Sequence, residues 1–207
     1  MPLCHYRKIA FIHIPKTGGQ SLIDLFGFQK KPECYYGFHQ VQGKMKELSH
    51  YTYFMINEEY NLDSYFKFSF VRNPFEKLVS EFFFTMTNIN QIQKFNLKNQ
   101  DFPTFVESLY HNQIVNLNYW KVIGKHRHFI PQNEFICDGE IKVDFVGRFE
   151  SLKKDTKILL DKYKIQNVLP HINKTNHENY KKYYTNSTKE LVSKMYKDDL
   201  DLFDYDF

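Results

Sequence analysis

The chain has 207 residues, of which 42% are hydrophobic, and its 28 Lys and Arg against 24 Asp and Glu give a formal net charge of +4. This length and composition predict a single globular domain over residues 1–207. The mild positive charge suits an anionic ligand, but without a clustered basic patch it does not indicate nucleic-acid binding, and we expect no nucleic-acid partner.

Cysteine use and hydropathy limit the setting in which the protein works. Cys4, Cys34 and Cys137 form neither a CxxC pair nor a disulfide framework, which indicates a reducing compartment. The apolar start of the chain is too short for a signal peptide, and no window approaches roughly 18 apolar residues. We therefore expect a cytoplasmic protein with no membrane span.

Apolar runs and periodic apolar positions predict the elements in chain order. They predict a strand at 9–14, a helix at 20–26, a strand at 65–71 and a helix that begins at Pro74 after the capping residue Asn73. They then predict a helix at 104–119, short strands at 129–130 and 143–147, a helix from a Ser151 cap to Tyr163, a polar loop at 169–179 and a last helix at 188–196. Strands that alternate with helices predict a three-layer α/β fold, a parallel sheet with helices on both faces.

The segment FIHIPKTGGQSL at 11–22 joins the first strand to the first helix. A strand, a glycine-bearing turn and a helix start form an anion site, because the N–H groups of the first helical turn point at the ligand and glycines let the backbone approach it. Lys16 adds a mobile positive charge. The segment differs from the Walker A loop, since its Lys precedes the Gly pair. A tight turn with a surface lysine is the alternative explanation.

The second strand ends in Arg72, at the place where a P-loop nucleotidase has an Asp that helps to hold Mg²⁺. An Arg at the carboxyl end of a parallel strand offers a two-pronged donor for a phosphate. Ser80 lies about two helical turns further on and can join the same phosphate if its helix passes alongside. A structural ion pair is the alternative explanation of Arg72.

These two segments, IHIPKTGGQSL and FVRNPFEKLVS, resemble the 5′-phosphosulfate loop and the 3′-phosphate motif of sulfotransferases that use 3′-phosphoadenosine 5′-phosphosulfate (PAPS). The resemblance is to the carbohydrate branch that includes heparan sulfate 2-O-sulfotransferases, and it extends to DFVGRFESL, LPHIN and DLDLFDYDF. It implies a sulfotransferase fold related to P-loop kinases. It also implies transfer of a sulfuryl group from PAPS to a hydroxyl of a carbohydrate or glycoconjugate.

Residue roles follow from the same resemblance. It implies that Lys16 contacts the 5′-phosphosulfate and steadies the leaving phosphate, within a cradle formed by Thr17, Gly18, Gly19, Gln20 and Ser21. It implies that Arg72 and Ser80 hold the 3′-phosphate, and that Arg148 and Lys174 lie near the nucleotide. Gln20 stands where a Thr or small residue is commoner. Lys77 replaces a frequent Arg, a change expected to matter little if the residue faces solvent.

Sulfuryl transfer to a hydroxyl needs a base, and His suits this task near neutral pH. His39, in YYGFHQVQGK, resembles the family segment that holds the catalytic histidine. His50 is the rival, since it also precedes the second strand. We expect His13 to be structural, whereas His128 and His171 are candidates for the acceptor side.

The proposed chemistry requires no metal, because Lys16 and helix N–H groups can meet the charge that develops on the bridging oxygen. The spacing of His126 and His128 is the only hint of a metal pair. Two other functions stay open: a Mg²⁺-dependent nucleotide kinase, and a nucleotide- or RNA-binding module that would use YKKYY at 180–184. A sulfotransferase fold without activity is a further possibility, against which Lys16, Arg72 and Ser80 argue.

Overall fold

The structure is a computed structural model that describes residues 2–28, 33–41, 44–87, 100–111, 127–170 and 177–207, with the backbone alone at 38–41 and 44–47. It divides the chain into two compact units, one formed by residues 1–71 and 132–173 and the other by residues 72–131 and 174–207. The expectation of a single domain stays a prediction. Among the described residues, no helix is both long enough and apolar enough to cross a membrane.

The first unit is built on a five-stranded mixed sheet. Its strands are β1 (Leu3–Cys4), β2 (Ile9–Ile12), β3 (Cys34–Tyr35), β6 (Phe66–Val71) and β9 (Phe145–Arg148), in the order β3-β1-β2-β6-β9. Strands β2, β6 and β9 run parallel, whereas β1 is antiparallel to both of its neighbours. Two short antiparallel pairs complete the described strands: β4 (Phe38–Val41) with β5 (Lys44–Glu47), and β7 (Cys137–Asp138) with β8 (Glu140–Ile141).

Helices are shared between the units. The first unit contains α1 (Gly19–Phe26), α2 (Tyr53–Tyr60), α5 (Asn133–Ile136) and α6 (Leu152–Tyr163), and the second contains α3 (Pro74–Met86), α4 (Phe102–His111), α7 (Asn186–Met195) and α8 (Lys197–Phe203). Short 3₁₀ helices lie at Arg127–Phe129, Phe149–Ser151 and Tyr180–Tyr183. Parallel strands connected through helices confirm the predicted α/β class.

The core of the first unit forms on one face of its sheet. Phe11 of β2 is in register with Phe68 of β6, and their rings stack with centroids 4.8 Å apart. The apolar side of α1 packs on these rings through Leu22 and Phe26, and Leu159 of α6 joins the same cluster. Burial of each of these side chains contributes roughly 1.5–3 kcal/mol. This packing stabilises β2 and α1, the two elements that the turn after β2 connects.

The core of the second unit joins α3, α4 and α7. Its centre is aromatic, with Phe82 of α3 against Phe105 of α4 at 5.2 Å between centroids. Tyr196 is 2% exposed, and its hydroxyl donates to the carbonyl of Phe129 at 2.9 Å. This hydrogen bond satisfies the polar end of a buried aromatic ring.

Several sequence predictions differ from the structure in instructive ways. The first strand ends at Ile12 rather than 14, because the following residues enter a turn in which the Thr17 hydroxyl donates to the Ile14 carbonyl at 2.9 Å. The predicted parallel sheet is parallel at β2, β6 and β9 but has an antiparallel edge, since a tight turn at residues 5–8 returns β1 antiparallel to β2. The strand expected at 129–130 is wrong, because Phe129 ends a 3₁₀ helix and Ile130 follows it, both of them buried.

Helix ends also differ from expectation. Ser151 precedes α6, but its hydroxyl donates to Asp155 Oδ2 at 2.7 Å and does not cap the backbone. The last predicted helix begins earlier, at Asn186, because Thr185 and Thr188 form a capping box there, and it is followed by the unpredicted α8. The helix predicted at 104–119 begins at Phe102, and its residues after His111 lie outside the described residues.

Candidate functional site

The turn between β2 and α1 has an unusual backbone. Lys16 has φ +66° and Gly18 has φ +81°, whereas Thr17 between them is not in the left-handed region. Alternation of this kind turns successive N–H groups toward one point and forms a concave anion site. For Lys16, a residue with a side chain, the conformation costs roughly 1–2 kcal/mol. Such strain at the mouth of a turn favours a binding role over a plain reversal.

Helix α1 extends the same feature. Its first hydrogen bond runs from the Leu22 N–H to the Gly18 carbonyl at 3.3 Å. The first N–H groups of a helix have no partner within it and carry the positive end of its dipole. Lys16 is half-buried, and Ser21 is 5% exposed within the first turn. The predicted cradle at 16–21 is therefore one continuous turn and helix start, a few residues after the end of β2.

Neighbouring side chains explain why positions 18 and 19 are both glycine. A Cβ built on Gly19 would lie 1.8 Å from Nε2 of His13, which is 7% exposed. A Cβ built on Gly18 would lie 2.9 Å from Leu152 and 3.4 Å from Phe149, and the positive φ adds strain. His13 thus has the packing role that the sequence predicted, and it holds the turn close to the sheet.

The two histidines proposed as bases lie in the first unit. The backbone of His39 is in β4, paired with Lys46 of β5, and its side chain lies outside the described residues. His50 is half-buried, its Nδ1 lies 3.1 Å from the His13 carbonyl, and the two rings are 4.5 Å apart between centroids. The structure therefore brings His50 to the end of β2 and leaves the choice between the two histidines as a prediction.

The segment before His39 also contacts the candidate cradle. The Tyr36 hydroxyl donates to Oε1 of Gln20 at 3.4 Å, a long hydrogen bond. Gln20 is the residue that departs from the family pattern, and its side chain now has a definite neighbour. Because Gln20 lies in the first turn of α1, the contact ties the tyrosine-rich segment to the cradle.

Arg72 and Ser80 belong to α3 and its approach, in the second unit. Arg72 is 6% exposed, and its Nη2 lies 3.0 Å from Oε1 of Glu76. Asn73 caps the helix by accepting from the Phe75 N–H at 3.0 Å. Ser80 is 2% exposed and follows Glu76 by one helical turn, so these side chains share a side of α3. The ion pair that the sequence left open as an explanation of Arg72 is thus present.

Arg148 and Lys174 are the two further candidates for contact with the nucleotide. Arg148 ends β9 in the first unit, and its N–H donates to Oδ2 of Asp155 at 2.8 Å, beside the Ser151 hydroxyl. That carboxylate fixes the bend from strand to helix and sets where Arg148 stands. Lys174 and His171 lie outside the described residues.

A buried polar group in the second unit escaped the sequence analysis. Lys77, expected to matter little if it faced solvent, is 3% exposed, and its Nζ donates to the His128 carbonyl at 2.9 Å. The His128 ring contacts both oxygens of the buried Glu81 through Nδ1, at 2.9 and 3.0 Å. The spacing of four residues from Lys77 to Glu81 on α3 was the available signal, because such residues share one helix side.

The described part of the chain contains no cluster of side chains that could bind a metal ion. Within the ranges that the structure describes, no three His, Cys, Asp or Glu side chains are grouped so as to hold an ion. His126 of the suggested histidine pair lies outside those ranges.

Comparison with known proteins adds independent information. The profile of the sulfotransferase family matches residues 3–206. Carbohydrate sulfotransferase 10 of Danio rerio is 24% identical and covers 98% of this chain and 65% of its own length, and that of Xenopus laevis is 26% identical and covers 96% and 65%. The chain thus spans about 65% of the length of these curated relatives.

A solved structure agrees on the fold. The crystal structure of mouse sulfotransferase SULT7A1 complexed with PAP superposes with a TM-score of 0.55, at 14% identity, over 96% of this chain and 86% of that one. At this identity the likeness concerns the fold alone, and it confirms the predicted sulfotransferase fold. Since the family profile extends over nearly every residue of the chain, we conclude that the chain belongs to the sulfotransferase family.

Proposed function

We propose that this chain is a PAPS-dependent O-sulfotransferase that transfers a sulfuryl group to a hydroxyl of a carbohydrate or glycoconjugate. One observation carries the proposal: a member of the sulfotransferase family has a turn between β2 and α1 with left-handed residues at Lys16 and Gly18. The turn offers backbone N–H groups, a helix N-terminus and a lysine to one anion.

The 5′ side of the donor is assigned to this turn. Residues Thr17 to Ser21 would bind the phosphosulfate through backbone and hydroxyl donors, and Gly18 and Gly19 let it approach the backbone. PAP, with which SULT7A1 was crystallised, is the donor without its sulfuryl group. The same ligand is proposed here, with Arg148 and Lys174 near the nucleotide.

The 3′-phosphate is assigned to Arg72 and Ser80. A guanidinium has five N–H donors in a plane, so the contact of Arg72 Nη2 with Glu76 uses only part of its capacity to bind anions. Recognition of this phosphate would separate the donor from ATP, which lacks it. No residue of this set requires Mg²⁺, and we propose that the reaction proceeds without a metal.

The transfer is an in-line displacement at sulfur. The acceptor oxygen forms a bond to sulfur as the bond from sulfur to the bridging phosphate oxygen breaks, and that oxygen keeps the electron pair. Lys16 and the N–H groups of α1 would stabilise the charge there. The acceptor proton passes to a histidine, for which His39 is our candidate and His50 the rival.

The acceptor class rests on the relatives' names. Carbohydrate sulfotransferase 10 of two vertebrates aligns with almost the whole chain, so a saccharide hydroxyl is the acceptor we propose. We further propose that the protein is cytoplasmic. The RNA-binding alternative loses its main support, because the aromatic rings of YKKYY pack against other rings of the protein. Tyr180 and Tyr184 contact Phe207, and Tyr183 contacts Phe83.

Calorimetry without Mg²⁺ tests the donor. PAP should bind more tightly than ATP or 5′-AMP, and Arg72→Ala should weaken PAP binding by about 10- to 100-fold, as expected for loss of a charge-assisted hydrogen bond. Arg72→Lys keeps the charge without the planar geometry, so its affinity for PAP should lie between those of the unsubstituted chain and Arg72→Ala. Preference for ATP, or equal binding of 5′-AMP and PAP, would contradict the sulfotransferase proposal and favour the nucleotide kinase instead.

Transfer assays with PAPS and a panel of saccharides test the base. His39→Ala should abolish transfer and leave PAP affinity unchanged, whereas His50→Ala should retain most of the transfer. The reverse result would assign the base to His50, and full activity in both variants would remove histidine catalysis at these positions.

A further inference from the structure

Two of the three cysteines face each other across the edge of the central sheet. In the antiparallel pairing of β1 with β3, Cys4 is the register partner of Cys34. The next pair outward is hydrogen-bonded, since the His5 N–H donates to the Glu33 carbonyl at 3.0 Å. Hydrogen-bonded and non-hydrogen-bonded pairs alternate in such a ladder, so Cys4 and Cys34 form a non-hydrogen-bonded pair.

That kind of pair brings side chains close together. Its Cα atoms lie about 4.5 Å apart, which falls inside the range of about 4.4–6.8 Å that a disulfide tolerates. Both residues are free thiols in this structure, and Sγ of Cys34 contacts Sγ of Cys4 at 2.6 Å. The exposed fractions are 2% for Cys4 and 9% for Cys34, and both belong to the core cluster of the first unit.

We propose that Cys4 and Cys34 are a disulfide-forming site that small disulfides such as oxidised glutathione can oxidise. Cys34, the more exposed thiol, attacks the small disulfide as its thiolate, becomes a mixed disulfide and releases one thiol. The thiolate of Cys4 then attacks the Cys34 sulfur and displaces the second thiol. One protein disulfide forms, and the oxidant is reduced to two thiols.

The position of the link relates it to the candidate site. A bond between residues 4 and 34 closes a loop that contains β2, the turn at Lys16 and the whole of α1. Closing a loop lowers the entropy of the unfolded chain, so the oxidised form is the more stable one. The disulfide would therefore stabilise the segment that contains the candidate cradle. Its two cysteines lie in β1 and β3, at the edge of the sheet, and neither belongs to the turn.

Thiol trapping on the full chain tests this inference. The protein is equilibrated in glutathione buffers from reducing to oxidising, alkylated, and analysed by intact mass and peptide mapping. Of the 3 cysteines, we expect all to be alkylated under reducing conditions and only Cys137 under oxidising ones, with a peptide that joins Cys4 to Cys34. The thermal midpoint of the oxidised form should be about 5 °C or more above that of the reduced form.

Matched variants complete the test. Cys137→Ser should retain the link and the thermal shift, whereas Cys34→Ser and Cys4→Ala should lose both. If a variant at a buried cysteine fails to fold, peptide mapping of the unsubstituted chain still decides. Three alkylated thiols in the most oxidising buffer, a link that includes Cys137, or a lasting mixed disulfide at Cys34 would each overturn the proposal.

Discussion

Gly19 shows how a single missing Cβ shapes the candidate cradle. The His13 ring occupies the space where that Cβ would stand, at 1.8 Å from its Nε2. We expect Gly19→Ala to lower the free energy of unfolding by about 3 kcal/mol, as overpacking does in a dense interior. It should also weaken PAP binding, because either His13 or the turn must move. Urea unfolding and calorimetry measure the two effects.

A double-mutant cycle separates this clash from other causes. In a His13→Ala background the obstruction is gone, so Gly19→Ala should cost about 2 kcal/mol less than in the unsubstituted chain. Gly139→Ala is the control for backbone strain without a clash. The φ of Gly139 is +72°, and an added Cβ there would meet nothing within 4 Å. Strictly additive effects of the His13 and Gly19 substitutions would show that the ring does not wall the turn.

At the scale of an element, α3 and the residues that lead into it carry two lines of polar side chains with four-residue spacing. One line is Arg72, Glu76 and Ser80, and the other is Lys77, Glu81 and Thr85, all but Glu76 at most 6% exposed. The first line has a proposed ligand. The second is internally satisfied, with Glu81 between His128 and the Thr85 hydroxyl, and it fixes the helix in the second unit.

The α3 helix also offers a test of whether Arg72 binds a phosphate. Glu76 lies 3.0 Å from the guanidinium, so its carboxylate repels any phosphate bound there. Glu76→Gln keeps the shape and an oxygen acceptor but removes this repulsion. We expect PAP to bind about 3- to 10-fold more tightly, while 5′-AMP is unaffected, and calorimetry at one ionic strength measures both.

Glu190→Gln is the matched control for net charge, because Glu190 is an exposed residue of α7. It should change the affinity for PAP little. Unchanged or weaker PAP binding by Glu76→Gln, in a protein that does bind PAP, would mean that Arg72 and Glu76 are a structural pair. A protein that binds no PAP at all would instead refute the proposed function.

How far the sequence predicted these elements depended on local signals. Strand β6 and helix α3 were predicted well, because an apolar run and an Asn-Pro start are local features. The antiparallel edge at β1 and the contact of Cys4 with Cys34 were not predictable, since both arise from pairing of distant segments. The hydrogen-bond partner of Lys77 was not predictable for the same reason, because the His128 carbonyl lies far along the chain.

At the scale of the whole molecule, three tyrosines with raised pKa values make stability depend on pH in the alkaline range. Burial raises the pKa of Tyr196 far above its ordinary value near 10, and the Asp199 and Glu81 carboxylates raise it further. Burial also raises the pKa of Tyr184 well above 10 and that of Tyr60 to about 12. In the unfolded chain these phenols ionise near pH 10. Their contribution to stability is therefore complete below about pH 10 and is lost as the pH rises toward their folded-state pKa values.

Tyr196→Phe tests this dependence in both pH ranges. At neutral pH the variant should lose about 1 kcal/mol, because the hydrogen bond to the Phe129 carbonyl is gone. Above about pH 10 its stability should fall less steeply than that of the unsubstituted chain, by about 1.4 kcal/mol for each pH unit, since one fewer proton is released on unfolding. The two curves should therefore converge. Tyr6→Phe, at a side chain that is 71% exposed, should keep the original slope. Urea unfolding in steps from about pH 8 to pH 11.5 gives the slopes, and parallel curves for Tyr196→Phe and the unsubstituted chain would show that Tyr196 does not limit alkaline stability.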